Sequence, residues 1–407
     1  MDVRTEPEAR MDVRTRPGRT GGVLVGSAWD AARVAAHASG VPLGTERLAL
    51  RDAHRRTLAQ DVRAATDLPP FLSSAMDGWA VCGPGPWVVD GSVLAGSAPV
   101  APLAPGHAVG IATGAPAPGG TVAVVRREDG SVRDGVLTAD AVPGRHLRPA
   151  GEEATEGALL IAAGTVLGPA HLGLAAAAGA DTVAVVRRPT ARVLVLGDEL
   201  LDRGAPGGGR VRDALGPQVP AWLERLGVDC VGVRLVEDTL DAHLAALDAA
   251  DDVDLVVTTG GTAAGPADHV HRAIACRSGA LVVDSVAVRP GHPMLLATLP
   301  GRRWLIGLPG NPQAAVAALL TLGGPLVAAL LGRPLPVLGA ASSPVDVSAP
   351  PHATRLVLAA LGPDGAEPTS HHGSGMLRGL AVADGYLVVP PGGSAARSLL
   401  RWLPLPS

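Results

Sequence analysis

A stretch of the chain from Asp254 to Asp268, DLVVTTGGTAAGPAD, constrains the fold more than any other segment. Its apolar half, Leu255 to Thr258, is typical of a β-strand. The Gly260-Gly261 pair ends such a strand, because glycine adopts the dihedrals of a tight turn at no steric cost. After the loop comes an apolar-periodic segment, His269 to Ala275. This order predicts a strand, a loop of small residues and a helix start, where an open α/β sheet binds an anionic ligand. An ordinary strand-to-helix turn remains the alternative.

Strands and helices alternate along the residues before this loop. We predict strands at 192–196, 230–235 and 253–258, with helices at 219–226 and 240–249 between them. The first strand, RVLVL, is apolar throughout, as in a parallel sheet that is covered on both faces. The pattern therefore predicts a doubly wound α/β sheet with right-handed crossovers.

Four acidic residues follow these predicted strands. Asp198 and Glu199 come directly after the first strand, Asp238 comes after the second, and Asp268 closes the glycine loop. Because the carboxyl ends of parallel strands share one edge of a sheet, we expect these carboxylates to face one crevice. Carboxylates gathered in this way suit a divalent cation. Capping of the next helix is the alternative role for the Asp198-Glu199 pair.

Composition narrows the class of protein. At 407 residues the chain is too long for one hydrophobic core, so several domains are expected. The formal net charge of -4 implies no basic face, and nucleic acid is not an expected partner. The three cysteines follow no metal-binding spacing, which favours a reducing cytoplasm. No lysine occurs in the chain, so every fixed positive side chain is an arginine.

Two long uncharged stretches, 158–180 and 305–332, could be mistaken for membrane spans. Glycine and proline interrupt both, the second at Gly323-Gly324-Pro325, and each remaining piece is too short to cross about 30 Å of hydrocarbon. We therefore expect buried helices and strands here, and no membrane partner. Asn311, the only asparagine, precedes Pro312 at the start of an alanine-rich segment and is predicted to cap a helix.

The flanking segments differ in character from this central part. The N-terminus repeats the pentapeptide MDVRT and has no apolar core, so we expect a disordered lead without a signal peptide. Four short apolar runs separated by glycine and proline indicate a small β domain after the first helix: 87–93, 107–111, 121–125 and 136–138. Its sharp features are Asp77 and Thr113, which turn structure alone could also explain. The predicted domains are a lead at 1–26, an elongated helical and linker domain at 27–66 and 143–187, an inserted β domain at 67–142, a central α/β domain at 188–333, and a C-terminal β domain at 334–407. In the C-terminal domain, 356–361, 371–375 and 386–390 are candidate strand and turn segments.

Taken together, the motifs resemble those of the molybdopterin molybdenumtransferase family, MoeA in bacteria and the E domain of gephyrin. The resemblance rests on the order and spacing of short runs over the chain from about Ser27 to its end. In order, these runs are SAMDG at 74–78, TGAPAP at 113–118, GEE at 151–153, GDEL at 197–200, the Gly-Gly and Asp of 260–268, PGHP at 290–293, LPGNP at 308–312, and Gly-Ser with a later ADGY near the C-terminus.

The resemblance implies a multidomain fold of the α/β plus β class. The expected architecture is a central doubly wound α/β sheet, similar to molybdopterin adenylyltransferase (MogA), with flanking helical, β and C-terminal β-barrel domains. It also implies a homodimer whose cleft joins the central domain of one protomer to the SAMDG-bearing β domain of the other. Molybdopterin adenylyltransferase and molybdoenzymes are possible partners. The implied reaction is the insertion of molybdate into adenylylated molybdopterin with release of AMP, aided by Mg²⁺.

The family's functional residues carry over to matching positions. The resemblance implies catalytic roles for Asp77, Thr113, Glu199, Asp238, Asp268, Arg289 and His292, with Asp77, Glu199, Asp238 and Asp268 as metal ligands. It implies binding of the cofactor precursor by Gly260, Gly261, Thr262, Gly265, Ser285, Pro309, Gly310, Asn311 and Ser374.

The chain departs from the family's pattern at its cations. Where lysines are usual, it has Ser285, Arg289 and His292. Arginine can replace lysine as an anion clamp, histidine is only partly charged near neutrality, and serine is uncharged. Two alternatives therefore remain open: a weakened paralogue that carries molybdopterin or acts as a scaffold, and an adenylyltransferase, which would not need the flanking domains.

Overall fold

The computed structural model of the chain describes residues 22–97, 101–262 and 269–406. They form two compact units. The first contains the described residues up to Leu43 and from Arg188 onwards, and the second is Gly44–Arg187.

The strands, numbered in chain order, are β1 (Leu24–Ser27), β2 (Thr45–Ala49), β3 (Val62–Arg63), β4 (Ser73–Ser74), β5 (Gly78–Val81), β6 (Trp87–Val93), β7 (His107–Ile111), β8 (Ala123–Arg126), β9 (Ser131–Arg133), β10 (Val136–Thr138), β11 (Leu147–Arg148), β12 (Leu159–Ile161), β13 (Thr182–Val186), β14 (Thr190–Leu196), β15 (Leu200–Leu201), β16 (Val211–Arg212), β17 (Asp229–Val236), β18 (Leu255–Thr259), β19 (Ala280–Val286), β20 (Val288–Arg289), β21 (Leu295–Leu299), β22 (Arg303–Leu308), β23 (Gly339–Ser342), β24 (Thr354–Gly362), β25 (Gly365–Pro368), β26 (Gly385–Val389) and β27 (Leu399–Pro404). The α-helices are α1 (Trp29–Ser39), α2 (Pro169–Ala177), α3 (Leu215–Leu226), α4 (Leu240–Asp248), α5 (Val270–Cys276), α6 (Pro312–Ala318) and α7 (Gly324–Leu330).

Seven strands of the first unit form one sheet, in the order β1-β19-β21-β22-β18-β14-β17. β14 runs parallel to β17 and β18, and β18 runs parallel to β22. The register pairs Leu196 with Val236 and Thr259 with Leu308, so the carboxyl ends of four strands meet at one edge of the sheet. This edge is where the sequence predicted a ligand site.

The apolar strand β14 is buried on both faces, as predicted. Val193 and Val195 belong to a core that includes side chains of α1, α3 and α6. Leu194 and Leu196 point into a second core with side chains of α4 and α5. Because side chains alternate along a strand, one short apolar run joins the two helical layers.

One side of the sheet is antiparallel, which the sequence did not indicate. β21 runs antiparallel to β22 and to β19. The link between β21 and β22 is a tight turn in which Gly301 and Arg302 have φ of +81° and +58°. A parallel return needs a crossover of a dozen or more residues, so a link this short forces an antiparallel pair.

Residues 312–330 form one continuous helical segment, with a π-helical turn at Leu319–Gly323 between α6 and α7. The break expected at Gly323-Gly324-Pro325 does not occur. Pro325 lies in the first turn of α7, where its missing N–H costs little, and the wider π turn precedes it. Within the described part of the chain, this is the one helix long and apolar enough to cross a membrane. It is 94% buried, as in a core helix.

The C-terminal residues form a second sheet in the first unit, with the order β20-β24-β26-β27-β23 and β25 beside β24. The strands expected near 356–361 and 386–390 correspond to β24 and β26. The expected strand or turn at 371–375 is a loop. β20 directly follows β19 of the first sheet in the chain and pairs in parallel with β24, so the chain passes from one sheet into the other at this point.

The second unit contains the expected small β structure. Its largest sheet has six strands in the order β8-β5-β7-β6-β10-β9, close to the four runs predicted from the sequence. Within 143–187, which the sequence predicted to belong to a helical and linker domain, the helix is confined to α2, because the residues before it form the short strands β11 and β12.

Two features bear on the predicted domain boundaries. Leu24 and Val25, placed in the expected disordered lead, form part of β1 and pair with Val283 and Asp284. α1 belongs to the first unit, where Trp29 and two alanines lie in its core, whereas the residues that follow Leu43 belong to the second unit. The predicted domain segment 27–66 therefore spans both units. The boundaries themselves stay a prediction.

Candidate active site

A cavity of about 860 Å³ lies at the carboxyl ends of β14, β17, β18 and β22. Its walls come from residues within 196–200 after β14, 211–215 at the start of α3, 259–262 after β18 and 309–312 before α6, together with Asp238 after β17, Pro293, and two residues of the C-terminal loop. Of the predicted site residues, it brings together Glu199, Asp238, Gly260, Gly261, Thr262, Pro309, Gly310 and Asn311.

The glycine pair lines this cavity for steric reasons. Gly260 and Gly261 have φ of +88° and +63°. A Cβ on Gly260 would meet the Leu196 carbonyl oxygen at 2.9 Å, and one on Gly261 would meet Val270 at 2.9 Å. Both positions therefore require glycine. Gly265 and Asp268, predicted to bind precursor and metal, lie outside the described residues.

The acids predicted at the strand ends do come together. Glu199 and Asp238 both line the cavity, and Asp198 Oδ1 accepts a hydrogen bond from the Asp238 amide at 3.2 Å. Neither Asp198 nor Glu199 caps a helix; the residue that does so is Asp213, whose carboxylate accepts from the amides of Leu215 and Gly216. The alternative reading of the Asp198-Glu199 pair as a cap was wrong, because β15 and β16 intervene before α3.

Asp238 has a perturbed carboxylate. Partial burial raises the pKa of its side chain, and the nearby charges of Asp198 and Glu199 raise the pKa further. His243, whose Nε2 lies 3.7 Å from Asp238 Oδ1, and His269 act in the opposite direction. A carboxylate whose pKa is raised by neighbouring acids in a cleft is stabilised in its charged form by a bound cation.

Asn311 occupies the N-cap position of α6 with Pro312 after it, as predicted, but its side chain makes no capping hydrogen bond. Its Nδ2 donates instead to Ser374 Oγ at 3.3 Å. The backbone carbonyl of Ser374 accepts the amides of Gln313 and Ala314 at 3.0 and 3.3 Å. The C-terminal loop thus satisfies the donors that an N-cap side chain would otherwise satisfy.

A second cavity, of about 220 Å³, contains two of the predicted residues, Arg289 and Ser374. It also contains Arg355 and His372, which the sequence reasoning missed, and none of its lining residues is acidic. Arg289 and Arg355 are register partners in the β20–β24 pair. Like charges side by side repel, so this pocket suits an anion between them.

At two of the three positions where the family usually has lysine, the side chain makes a hydrogen bond to the protein backbone. Ser285, which has φ of +66°, accepts a hydrogen bond on Oγ from the Gly26 amide at 3.0 Å. His292 Nδ1 lies 2.7 Å from the Val286 carbonyl oxygen and donates to it. Neither side chain lines the two cavities described here.

Asp77 and Thr113 lie in the second unit and contact each other. The amide and the hydroxyl of Thr113 both donate to Asp77 Oδ1, at 2.7 and 2.9 Å. These two hydrogen bonds, the backbone bond first, lower the pKa of the exposed Asp77 carboxyl. The sequence paired these residues only through the resemblance; the structure supplies the contact.

This contact predicts an acidic titration for Asp77. We expect carboxyl NMR of the protein to give a pKa below the ordinary aspartate value, and Thr113→Val to raise it partway, since the backbone bond remains. A depressed folded pKa stabilises the fold above the ordinary pKa and is lost as the pH falls through the folded value. Thr138→Val, an exposed threonine of β10, is the control. A wild-type pKa at or above the ordinary value would contradict the assignment.

The first cavity offers two carboxylates, of Glu199 and Asp238, as ligands for a metal ion. Among residues 22–97, 101–262 and 269–406, no group of three or more His, Cys, Asp or Glu side chains is placed to hold one. Glu199 and Asp238 offer two carboxylates with a raised pKa at the second. Mg²⁺ commonly binds through one or two carboxylates together with substrate phosphates, so these residues fit that ion.

Three family models together match most of the chain. Residues 27–179 match the MoeA N-terminal region (domain I and II), 192–329 match a probable molybdopterin binding domain, and 340–398 match the MoeA C-terminal region (domain IV). These matches bear out the resemblance that the ordered motifs suggested.

Relatives and solved structures agree. The chain is 33% identical to the molybdopterin molybdenumtransferase of Haemophilus influenzae, over 72% of this chain and 74% of that protein. It is 32% identical to molybdopterin molybdenumtransferase 2 of Mycobacterium tuberculosis, over 84% and 90%. A crystal structure of the molybdopterin biosynthesis MoeA protein from Pyrococcus horikoshii aligns with a TM-score of 0.81 at 26% identity, covering 95% of this chain and all of that one. The predicted fold class is confirmed, and the chain belongs to the molybdopterin molybdenumtransferase (MoeA) family, whose members are transferases of molybdenum cofactor biosynthesis.

Proposed function

We propose that this protein inserts molybdate into adenylylated molybdopterin and releases AMP with the help of Mg²⁺. The observation that carries the proposal is the first cavity. Its rim combines the small-residue loop 259–262, two carboxylates and the Pro-Gly-Asn segment at the sheet edge where open α/β proteins bind nucleotides and phosphates. Its volume of about 860 Å³ is that of a site for a ligand the size of a nucleotide or larger.

The residues of this cavity divide the work by their chemistry. The backbone of Gly260 and Gly261 can approach the pterin and its phosphate closely, since no side chain stands in front of it. The hydroxyl of the buried Thr262 and the amide of Asn311 offer neutral polar groups to the ligand. Glu199 and Asp238, with Asp268, would hold the cation. Bound Mg²⁺ would neutralise the charge that develops on the departing phosphate.

We assign molybdate to the second cavity. Its two guanidinium groups, Arg289 and Arg355, match a small oxoanion that offers several acceptor oxygens. Ser374 and His372 add a hydroxyl and a ring nitrogen. The hydrogen bond between Asn311 and Ser374 links this anion pocket to the first cavity, so the oxoanion would lie near the precursor that receives it.

Asp77 and Thr113 complete the proposed site in the dimer. Following the family's arrangement, we propose a homodimer in which these two residues reach the cleft of the partner protomer. The exposed Asp77 carboxylate is charged at neutral pH, as a cation ligand requires, and its hydrogen bonds with Thr113 lower its pKa further. We further propose a cytoplasmic location, with molybdopterin adenylyltransferase as supplier and molybdoenzymes as recipients of the product.

A carrier role is the second candidate, and one observation favours it. Ser285 and His292, at two of the three positions where lysines are usual, are tied to Gly26 and Val286. Their loss as cations weakens the clamp on anionic ligand groups more than the cation site. A protein altered in this way could bind molybdopterin without converting it.

The proposed reaction is tested by incubating purified protein with adenylylated molybdopterin, Mg²⁺ and molybdate. We expect AMP to appear in proportion to the precursor consumed, and chelation of Mg²⁺ to stop it. Binding of the precursor without AMP release, under conditions in which a family member works, would contradict the enzyme and support the carrier. Replacing Arg289 and His292 together by lysine then distinguishes two cases. If the loss of lysines weakened the site, the rate of AMP release rises; if the site is adapted to arginine and histidine, the rate does not change.

A further inference from the structure

Gln313 is a fully buried polar residue that no part of the proposed reaction uses. It follows Pro312 in the first turn of α6 and has 0% of its surface exposed. Burying a carboxamide is costly unless its donors and acceptor are hydrogen-bonded. The partners of this side chain therefore indicate why it is there.

Those partners are backbone carbonyls of the C-terminal loop. Two carbonyl oxygens, of Gly373 and His372, lie 2.6 and 2.7 Å from one end of the Gln313 carboxamide; since carbonyl oxygens only accept, that end is assigned as the nitrogen, which donates to both. The backbone amide of Gln313 donates to the carbonyl oxygen of the following residue, Ser374, at 3.0 Å. One residue thus holds three consecutive carbonyls, 372 to 374, against the start of α6.

The loop held in this way borders both cavities. His372 and Ser374 line the anion pocket, whereas Gly375 and Leu377 line the first cavity. At its start the loop is held by the Thr369 amide, which donates to the Leu358 carbonyl of β24 at 2.8 Å. Toward α6 the loop's other bonds are longer than those of Gln313: the Ala314 amide and Asn311 Nδ2 reach the carbonyl and the Oγ of Ser374, each at 3.3 Å. Much of the loop's position relative to α6 is therefore set by Gln313.

We propose that Gln313 is the positioning residue of the anion pocket: it fixes the loop 372–374, and thereby the Ser374 hydroxyl and the His372 ring, opposite Arg289 and Arg355. The inference rests on the proposed assignment of this pocket to an oxoanion. Gln313 itself does not touch the anion. Its two side-chain donors are spent on carbonyls, so it acts through the loop.

The experiment compares wild type with Gln313→Met, which keeps the length of the side chain and removes both donors. We expect the Kd for molybdate, measured by equilibrium dialysis on the full-length protein, to rise about tenfold, because the loop loses two buried hydrogen bonds. In the AMP-release assay, the KM for molybdate should rise by a similar factor while kcat at saturating molybdate stays within about twofold. Hydrogen exchange of the peptide spanning 370–376 should become faster.

Two further variants keep the test decisive. Gln313→Glu has the same shape but turns an acceptor toward two carbonyls, and we expect a larger rise in Kd than for Gln313→Met. Gln218→Met, a glutamine on α3 that lines neither cavity, is the matched control and should behave as wild type. Circular dichroism confirms that each variant is folded before binding is measured.

The outcomes separate this proposal from the proposed function. Unchanged exchange in Gln313→Met, or faster exchange with an unchanged Kd, would overturn the positioning role. Wild-type protein that binds no molybdate would overturn the assignment of the pocket. In that case the exchange measurement alone would still show whether Gln313 holds the loop.

Discussion

Glu199→Gln is expected to lower the rate of AMP release by about a hundredfold or more, since loss of a cation ligand removes several kcal/mol of charge stabilisation. Glu199 lines the first cavity, and its carboxylate packs so closely on Gly197 that a Cβ there would meet Glu199 Oε2 at 2.7 Å. Glutamine keeps this shape and removes the charge. The variant should therefore fold like the wild type and fail in chemistry.

The same variant should bind a cation more weakly. Mn²⁺, followed by its paramagnetic resonance, serves as a probe for the Mg²⁺ site, and we expect its Kd to rise about tenfold to a hundredfold. Asp202→Asn is the control, because Asp202 belongs to the same segment but is exposed, pairs with Arg203 and lies outside the cavity lining. A Glu199→Gln variant with wild-type AMP release and wild-type Mn²⁺ affinity would show that this carboxylate is not a ligand.

Sequence patterns were sufficient for the sheet edge and its acids. The alternation of short strands and helices predicts a parallel sheet, and a parallel sheet places every carboxyl end on the same edge. Glu199 and Asp238 could therefore be grouped in advance, although 38 positions separate them, and the structure places both in one cavity. The glycine loop was predictable for a similar reason, since few residues other than glycine adopt its dihedrals.

The anion pocket could not be predicted from local patterns. It depends on β20 leaving the central part of the chain to pair with β24, which brings Arg289 beside Arg355. No local signal in either segment specifies that pairing, because strand register is set by long-range packing. The one sequence feature that pointed to Arg355 was its place at the start of an apolar strand, in a chain without lysine.

Local rules also misled at two positions of the long helix. Gly323-Gly324-Pro325 is a typical helix end, yet tertiary packing of residues 312–330 in the core carries the helix through a π turn. Asn311 is a typical N-cap, yet the loop at Ser374 supplies the acceptor for the first amides of α6. In both cases contacts from distant residues outweighed the local preference.

Trp29→Ala is expected to lower the free energy of unfolding by about 4 kcal/mol, the cost of deleting a buried tryptophan. Trp29 begins α1 and is 1% exposed. Its Nε1 donates to Thr321 Oγ1 in the π turn at 2.9 Å, and Arg33 and Arg401 lie over the ring at 4.8 and 5.4 Å. One indole therefore joins α1, the long core helix and the C-terminal sheet.

Two variants separate the parts of this contact. Trp29→Phe keeps an aromatic ring for both guanidinium groups and loses the N–H, so it should cost roughly 1–2 kcal/mol. Trp222→Ala, a partly exposed tryptophan of α3 with one arginine over its ring, should cost less than Trp29→Ala. Urea denaturation followed by circular dichroism ranks the three. Because the helix that Trp29 holds begins at Pro312 and carries Gln313 in its first turn, Trp29→Ala should also weaken molybdate binding at temperatures where the protein is still folded. Equal losses of stability for Trp29→Ala and Trp222→Ala would show that the indole is an ordinary apolar contact rather than the joint between the two sheets.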